Sequence, residues 1–138
     1  MTNDFDSIKD CSVIMVIGSN TTEAHPVVGS FIREKVRDED DKATLIVCDP
    51  RRIELAKDAD MYLQQKIGTD VALVNGMINV IIKEGLHNKE FIENHVENFD
   101  ELKKSVEKYT PEKASERLFP EEAGTRRAAR PSPRGLKS

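Results

Sequence analysis

Two stretches of the chain, VIMVIG at 13–18 and TLIVCD at 44–49, carry apolar residues at successive positions rather than at alternate ones. Alternation marks a strand with one face in water. A short unbroken β-branched run marks a strand covered on both faces, the normal condition of a parallel sheet. The segment between the two has room for one helix. His25-Pro26 opens it, since proline at the first helical position gives up no N–H that the helix needs, and Val27, Val28, Phe31, Ile32 and Val36 recur along one side. The acidic turn DEDDK at 38–42 returns the chain to the second strand, which Pro50 ends because it cannot donate to a ladder. Strand, helix and strand over this length make a right-handed βαβ unit.

The remaining pattern extends that unit. DFDSIKD at 4–10 reads as a helical turn, Arg52 to Lys57 as a short helical piece, and DMYLQQ at 60–65 as a third, half-polar strand. After the loop Lys66-Ile67-Gly68, a long helix from Thr69 presents Val71, Leu73, Val74, Met77, Ile78, Ile81 and Ile82 and stops at Gly85, a natural C-terminal glycine. Amphipathic helices near 88–95 and 98–108 follow, closed by Tyr109, and Thr110-Pro111-Glu112 caps and starts another. The expected fold class is α/β, a Rossmann-like three-layer domain over 1–117. Its short parallel sheet, with strands near 13–18, 43–49 and 60–64, is flanked by helices and followed by C-terminal helices. Residues 118–138 are expected to form a divergent, poorly ordered basic tail.

At 138 residues the chain suits one core and is too short for two ordinary domains. No apolar run approaches the roughly 18 residues of a spanning helix, and the opening MTNDFDSIKDCS has no apolar signal core. The expected location is therefore cytoplasmic, away from membrane. Cys11 and Cys48 lie far apart with no C-x-x-C pair, which speaks against a zinc site, an iron–sulfur motif or a disulfide framework, and both read as small buried residues. The net charge of −4 conceals a basic end, where Arg126, Arg127, Arg130, Arg134 and Lys137 face only Glu121 and Glu122. The body is acidic, so nucleic acid is not an expected partner. Asp58, Asp60 and the DEDDK carboxylates read as solvated or turn residues. No Ser/His/Asp set, metal-ligand cluster or paired acid and base stands out.

In an open parallel sheet the carboxyl ends of the strands share one edge, and ligands bind in the crevice there. That geometry brings together Gly18-Ser19-Asn20, Asp49-Pro50-Arg51 and Gly68-Thr69-Asp70, one segment after each strand. Gly18 permits close backbone approach, Ser19 and Asn20 supply short hydrogen-bonding groups, and the helix from Pro26 offers free N–H groups and a positive dipole end to phosphate. The same residues also make a plain turn with Asn20 left-handed. Asp49 stands where an acid accepts from ribose hydroxyls in nucleotide-binding α/β domains, with Arg51 or Arg52 placed to grip a phosphate. Equally, D-P-R is an ordinary strand end. Asp70 can accept two parallel hydrogen bonds from the N1–H and exocyclic amine of guanine, which adenine cannot supply; as a mere first-turn acid it is worth about 0.3–1 kcal/mol. His25 either donates to a ligand or satisfies local backbone groups.

Taken in order, CSVIMVIGSNTTEAHPVVG, TLIVCDPRRIELAKDADMYLQQKIGTDVALVNGMINVIIKEGL and KYTPE resemble the molybdopterin oxidoreductase family, and within it the catalytic alpha subunit of formate dehydrogenases, from about Asp6 to Pro111. G-S-N-T-T-E-A-H-P and G-T-D-V-A-L-x-N-G are the most specific parts. The resemblance implies an α/β domain that grips one guanine nucleotide arm of bis-molybdopterin guanine dinucleotide. Position by position, it implies that Gly18, Ser19 and Asn20 line phosphate and ribose and that Glu23 and His25 lie beside them. Cys48, Asp49, Pro50 and Arg51 would form the second loop, and Gly68, Thr69 and Asp70 the third, with Asp70 reading the guanine.

A whole enzyme of this kind oxidises formate to carbon dioxide on molybdenum or tungsten and passes electrons to iron–sulfur centres. The implied partners are the remainder of the catalytic subunit and electron-transfer subunits. The family's iron–sulfur cysteines, its metal-ligating cysteine or selenocysteine and its active-site histidine and arginine have no counterpart among these residues, since Cys11 and Cys48 occupy other positions and His25 matches a cofactor-loop histidine. The chain is therefore expected to be a fragment, inactive alone, with no catalytic or metal-binding residue of its own. A non-catalytic nucleotide-binding or accessory module of the same fold is the alternative.

Overall fold

The computed structural model describes residues 4–119, which divide into two compact units, 4–65 and 66–119. Of the poorly ordered tail expected over 118–138, Leu118 is instead the buried last residue of the helix Pro111–Leu118, and residues 120–138 lie outside the described residues. In the first unit β1 (Val13–Ile17), β2 (Thr44–Cys48) and β3 (Met61–Leu63) form a parallel sheet in the order β1-β2-β3. Helices α1 (Thr21–Ala24) and α2 (Pro26–Arg37) connect β1 to β2, and single 3-10 turns at Phe5–Ile8 and Glu54–Lys57 precede β1 and β3. The mixed α/β class and all three strands agree with the sequence reading. The turn α1 does not, because the run Asn20 to Ala24 had read as loop.

The register pairs Ile14 with Leu45 and Val16 with Val47, so these side chains share one face. There they meet Ile32 and Val36 of α2 together with Ile53, Leu55, Ala56 and Ala59. Leu45, Val47 and Leu55 are wholly buried, a burial worth about 1.5–3 kcal/mol each. The opposite face is less covered than an unbroken apolar strand predicts: Val13 is 56% exposed and Met61 46%, while Met15, Ile17, Ile46 and Leu63 are half-buried. On α2, Val27 also departs from the expected stripe and is exposed, because the buried line runs through Gly29, Ile32, Lys35 and Val36.

Several polar residues read as solvated are in fact structural. The Asp58 carboxylate, only 10% exposed, accepts from Arg37 Nη2 (3.0 Å) and Arg33 Nε (3.3 Å), and Arg33 also reaches Glu54 at 3.0 Å. These contacts tie α2 to the turn before β3. Asp60 accepts from the Leu45 N–H at 2.9 Å and from Lys42 at 2.7 Å, which fixes the start of β3 against β2. In the DEDDK turn, Asp41 pairs with the buried Lys35 at 2.5 Å, and Asp38 accepts from the backbone N–H groups of Asp41 and Asp40. Those two bonds hold the Asp38 carboxyl below the usual carboxylate range, so what they add to the turn is complete above that range and lost as pH falls through the lowered value. Cys11, expected to be buried, is exposed in the turn before β1, with Sγ donating to the Ser7 carbonyl at 3.4 Å; Cys48 is buried as expected.

The second unit is helical: α3 (Asp70–Lys83), α4 (Lys89–His95), α5 (Phe99–Val106) and α6 (Pro111–Leu118). Gly85, at φ +68°, ends α3 as the sequence predicts. Its N–H donates to Ile82 (3.2 Å) and the Leu86 N–H to Ile81 (2.9 Å), the paired bonds of a Schellman motif. Asn88 and Thr110 cap α4 and α6 through their side chains. The buried stripe of α3 differs from the expected one. Ala72, Leu73, Gly76 and Asn79 are buried, whereas Val71, Val74, Met77 and Ile81 are 38–66% exposed. Small residues decide this, because they let α6 come close: a Cβ on Gly76 would lie 2.9 Å from that of Ala114. Asn79 Nδ2 donates to the Val106 carbonyl at 2.9 Å, fastening α5 to the same side of α3.

Overpacking of that α3–α6 contact should cost about 1–3 kcal/mol in Gly76→Ala, read by urea unfolding. Adding Ala114→Gly should recover most of the loss; a double variant no more stable than the single one would show that the close approach is not what requires glycine.

Candidate functional site

The last rung of the sheet pairs Ile17 with Cys48 and Cys48 with Leu63. Two hydrogen bonds carry the ladder one residue further, Gly18 N–H to Cys48 O at 2.9 Å and Asp49 N–H to Leu63 O at 3.2 Å. The first two of the three segments therefore leave the carboxyl edge side by side, each anchored to the neighbouring strand. Gly18 has φ +59°, a region an L side chain enters only at a cost. A Cβ there would meet nothing within 4 Å, so the backbone turn alone requires glycine and the space over its Cα is open.

Beyond Gly18, Asn20 is not left-handed, with φ −88° and ψ 72°. Its Oδ1 accepts from Thr22 Oγ1 at 3.1 Å, and the short helix α1 begins. Ser19 is half-buried and Glu23 exposed. Thr21 is only 8% exposed, yet its Oγ1 has no hydrogen-bond partner among the described residues. His25 is the joint between α1 and α2: its N–H donates to Thr21 O, its carbonyl accepts from the Gly29 N–H, both at 3.0 Å, and its ring is exposed. Gly29 allows α2 to fold back on α1, since a Cβ there would fall 3.1 Å from Thr22 Cα.

The second segment is held from several directions. Asp49 is 3% exposed; its Oδ1 accepts from the Arg51 N–H at 2.7 Å and lies 3.8 Å from Arg51 Nε. Three successive carbonyls are also engaged, Cys48 by the Gly18 N–H, Asp49 by Tyr62 Oη at 3.0 Å and Pro50 by Gln64 Nε2 at 2.9 Å. Arg51 and Arg52 are exposed on this turn. The Asp49 carboxylate is thus engaged in shaping the turn. Sequence reasoning missed Thr21, Tyr62 and Gln64. Thr21 stood inside a motif without a role, and Tyr62 in β3 and Gln64 just after it gave no signal, because a half-polar segment does not say which partner its polar side chains take.

The third segment opens the second unit. Gly68 has φ +78°, and Thr69 donates to the Lys66 carbonyl through both its N–H (3.3 Å) and its Oγ1 (2.7 Å). Asp70 follows as the exposed first residue of α3, where the helix dipole favours a carboxylate. Among the described residues, no group of three His, Cys, Asp or Glu side chains could hold a metal ion, and no helix is long and apolar enough to cross a membrane.

The family model for molybdopterin oxidoreductases matches residues 1–129. The chain belongs to the molybdopterin oxidoreductase family. Within the family it is 52% identical over 115 residues to the F420-dependent formate dehydrogenase subunit alpha of Methanocaldococcus jannaschii, covering 83% of this chain and 17% of that protein. To formate dehydrogenase H of Escherichia coli it is 38% identical over 130 residues, covering 94% and 18%. The solved acetylene hydratase from Pelobacter acetylenicus superposes with a TM-score of 0.64 at 37% identity, covering 78% of this chain and 14% of that one. The chain thus spans less than a fifth of the length of these family members. Their names differ in reaction.

An unpaired buried hydroxyl destabilises the fold that contains it. Thr21→Val, which keeps the shape and removes the oxygen, should therefore leave the melting temperature unchanged or raise it. A clear drop on calorimetric melting would mean that the hydroxyl has a partner in solution.

Proposed function

We propose that this chain is the part of a formate dehydrogenase-like molybdopterin oxidoreductase that holds the guanine nucleotide arm of bis-molybdopterin guanine dinucleotide. The observation that carries this reading is the pair of anchored turns at the carboxyl edge, with the Gly18 N–H on Cys48 O and the Asp49 N–H on Leu63 O, where parallel sheets bind phosphate-bearing ligands. The positive φ of Gly18 and the open space over it supply a place where a phosphate or ribose can lie against the main chain. In this reading Ser19 and Asn20 hydrogen-bond that part of the ligand, with Glu23 and His25 beside it. Arg51 offers the phosphate a cation on a rigid turn, built by Cys48, Asp49 and Pro50. Gly68 and Thr69 form the turn that presents Asp70, which accepts from the guanine edge.

When bound, the cofactor would supply two-electron redox chemistry at molybdenum or tungsten in the whole enzyme, where formate is the substrate this reading favours. The work of this chain is binding and orientation. The remainder of the catalytic subunit and electron-transfer subunits are its proposed partners, in keeping with relatives that are named alpha subunits, and the proposed setting is the cytoplasm.

Isothermal calorimetry of the 138-residue chain tests the base preference. Hydrogen bonds to a charged acceptor are worth about 1.5–3 kcal/mol, so guanosine diphosphate should bind at least about tenfold more tightly than adenosine diphosphate, and Asp70→Ala should bring the two within about twofold. Equal affinity for the two nucleotides in the parent chain would refute the guanine assignment.

A further inference from the structure

The turn that carries Arg51 is not held by its own residues alone. Its carbonyls at 49 and 50 are engaged by two side chains of one short segment, Tyr62 Oη at 3.0 Å and Gln64 Nε2 at 2.9 Å. Tyr62 lies in β3 and Gln64 follows its last residue, Leu63, so the two stand two positions apart along the chain. That spacing lets them meet consecutive carbonyls of the neighbouring turn. The Tyr62 ring also packs against the buried cluster around Val16 and Val47, which anchors the hydroxyl to the core. Gln64 is exposed, and its amide has no need of a protein acceptor to escape desolvation.

We infer that Tyr62 and Gln64 are positioning residues that set the Asp49-Pro50-Arg51 turn so that the Arg51 guanidinium meets the ligand's diphosphate without prior rearrangement. The inference rests on the nucleotide reading above. With the Asp49 and Pro50 carbonyls fixed and the Arg51 N–H held by Asp49 Oδ1 at 2.7 Å, the backbone of Arg51 is ordered before any ligand arrives. A cation on an ordered backbone loses less freedom on binding than one on a loose loop. Neither side chain touches the ligand in this scheme. Both act through Arg51, and both should matter for the diphosphate and not for the base.

Tyr62→Phe and Gln64→Met remove the two donors while keeping much of each side chain's bulk. In the ligand-free chain, amide exchange at Arg51 should rise several-fold in each variant while the global melting temperature stays within a few degrees. By calorimetry, guanosine diphosphate affinity should fall about two- to tenfold, as expected for a single hydrogen bond, with guanosine affinity unchanged. In an Arg51→Ala background the same substitutions should cost nothing further, since a residue that acts through another is silent once that other is gone. Unchanged exchange at Arg51, an equal loss for guanosine, or a loss that persists without Arg51 would each overturn the inference. If the parent chain binds no guanosine diphosphate, the nucleotide reading falls and the inference with it, whereas unaltered exchange beside normal parental binding removes only the positioning role.

Discussion

One hydrogen bond, from the Gly18 N–H to the Cys48 carbonyl, joins the core of the first unit to its candidate site. It continues the β1–β2 ladder past Ile17 and therefore depends on the register that the core enforces. Slipping that register by one residue would turn Leu45 and Val47 away from Ile32 and Val36. The same slip would carry Gly18 out of reach of Cys48. The apolar packing that stabilises the sheet thus also fixes which residues stand at its carboxyl edge, with no separate device needed to align the two turns.

The position of that edge relative to α2 is secured by charge. Asp58 draws in Arg33 and Arg37 from the helix, and Asp60 spends one oxygen on the Leu45 N–H and the other on Lys42. An exposed pair of this sort contributes little. The Asp58 carboxylate, at 10% exposure, is another matter, because removing either arginine leaves a nearly buried charge with one partner fewer. These contacts fix the approach to β3, which supplies Tyr62 and is followed at once by Gln64.

Most of the fold was legible because it rests on period and punctuation. Unbroken apolar runs marked the first two strands, Pro26 and Pro111 marked helix starts, and Gly85 marked an end whose two hydrogen bonds the structure shows. The failures share a cause. Val71, Val74 and Met77 were expected to face inward because they are large, but Gly76 and Ala114 decide the contact by being small. Asp58 and Asp60 looked solvated because their partners lie far away in sequence, and long-range ion pairs leave no periodic trace. At the site, the adjacency of the Gly18 and Asp49 segments followed from parallel topology alone. The burial of the Thr21 hydroxyl did not, since it depends on the packing of α1, a helix for which no residue pattern argued.

A module of this design also bears on how one family can serve different reactions. Formate dehydrogenases and an acetylene hydratase share this region at 37–52% identity, although their named reactions have little in common. Fold does not fix function, and chemistry is selected where substrate meets the reacting atoms. On the proposed reading, this region recognises only the nucleotide end of a large cofactor and need not change when the substrate does. In this chain that task would rest on an edge held in register by a buried sheet, a glycine at positive φ, and a cation on a turn whose carbonyls neighbouring side chains engage. Divergence would then be concentrated in the parts of the relatives that lie beyond this region.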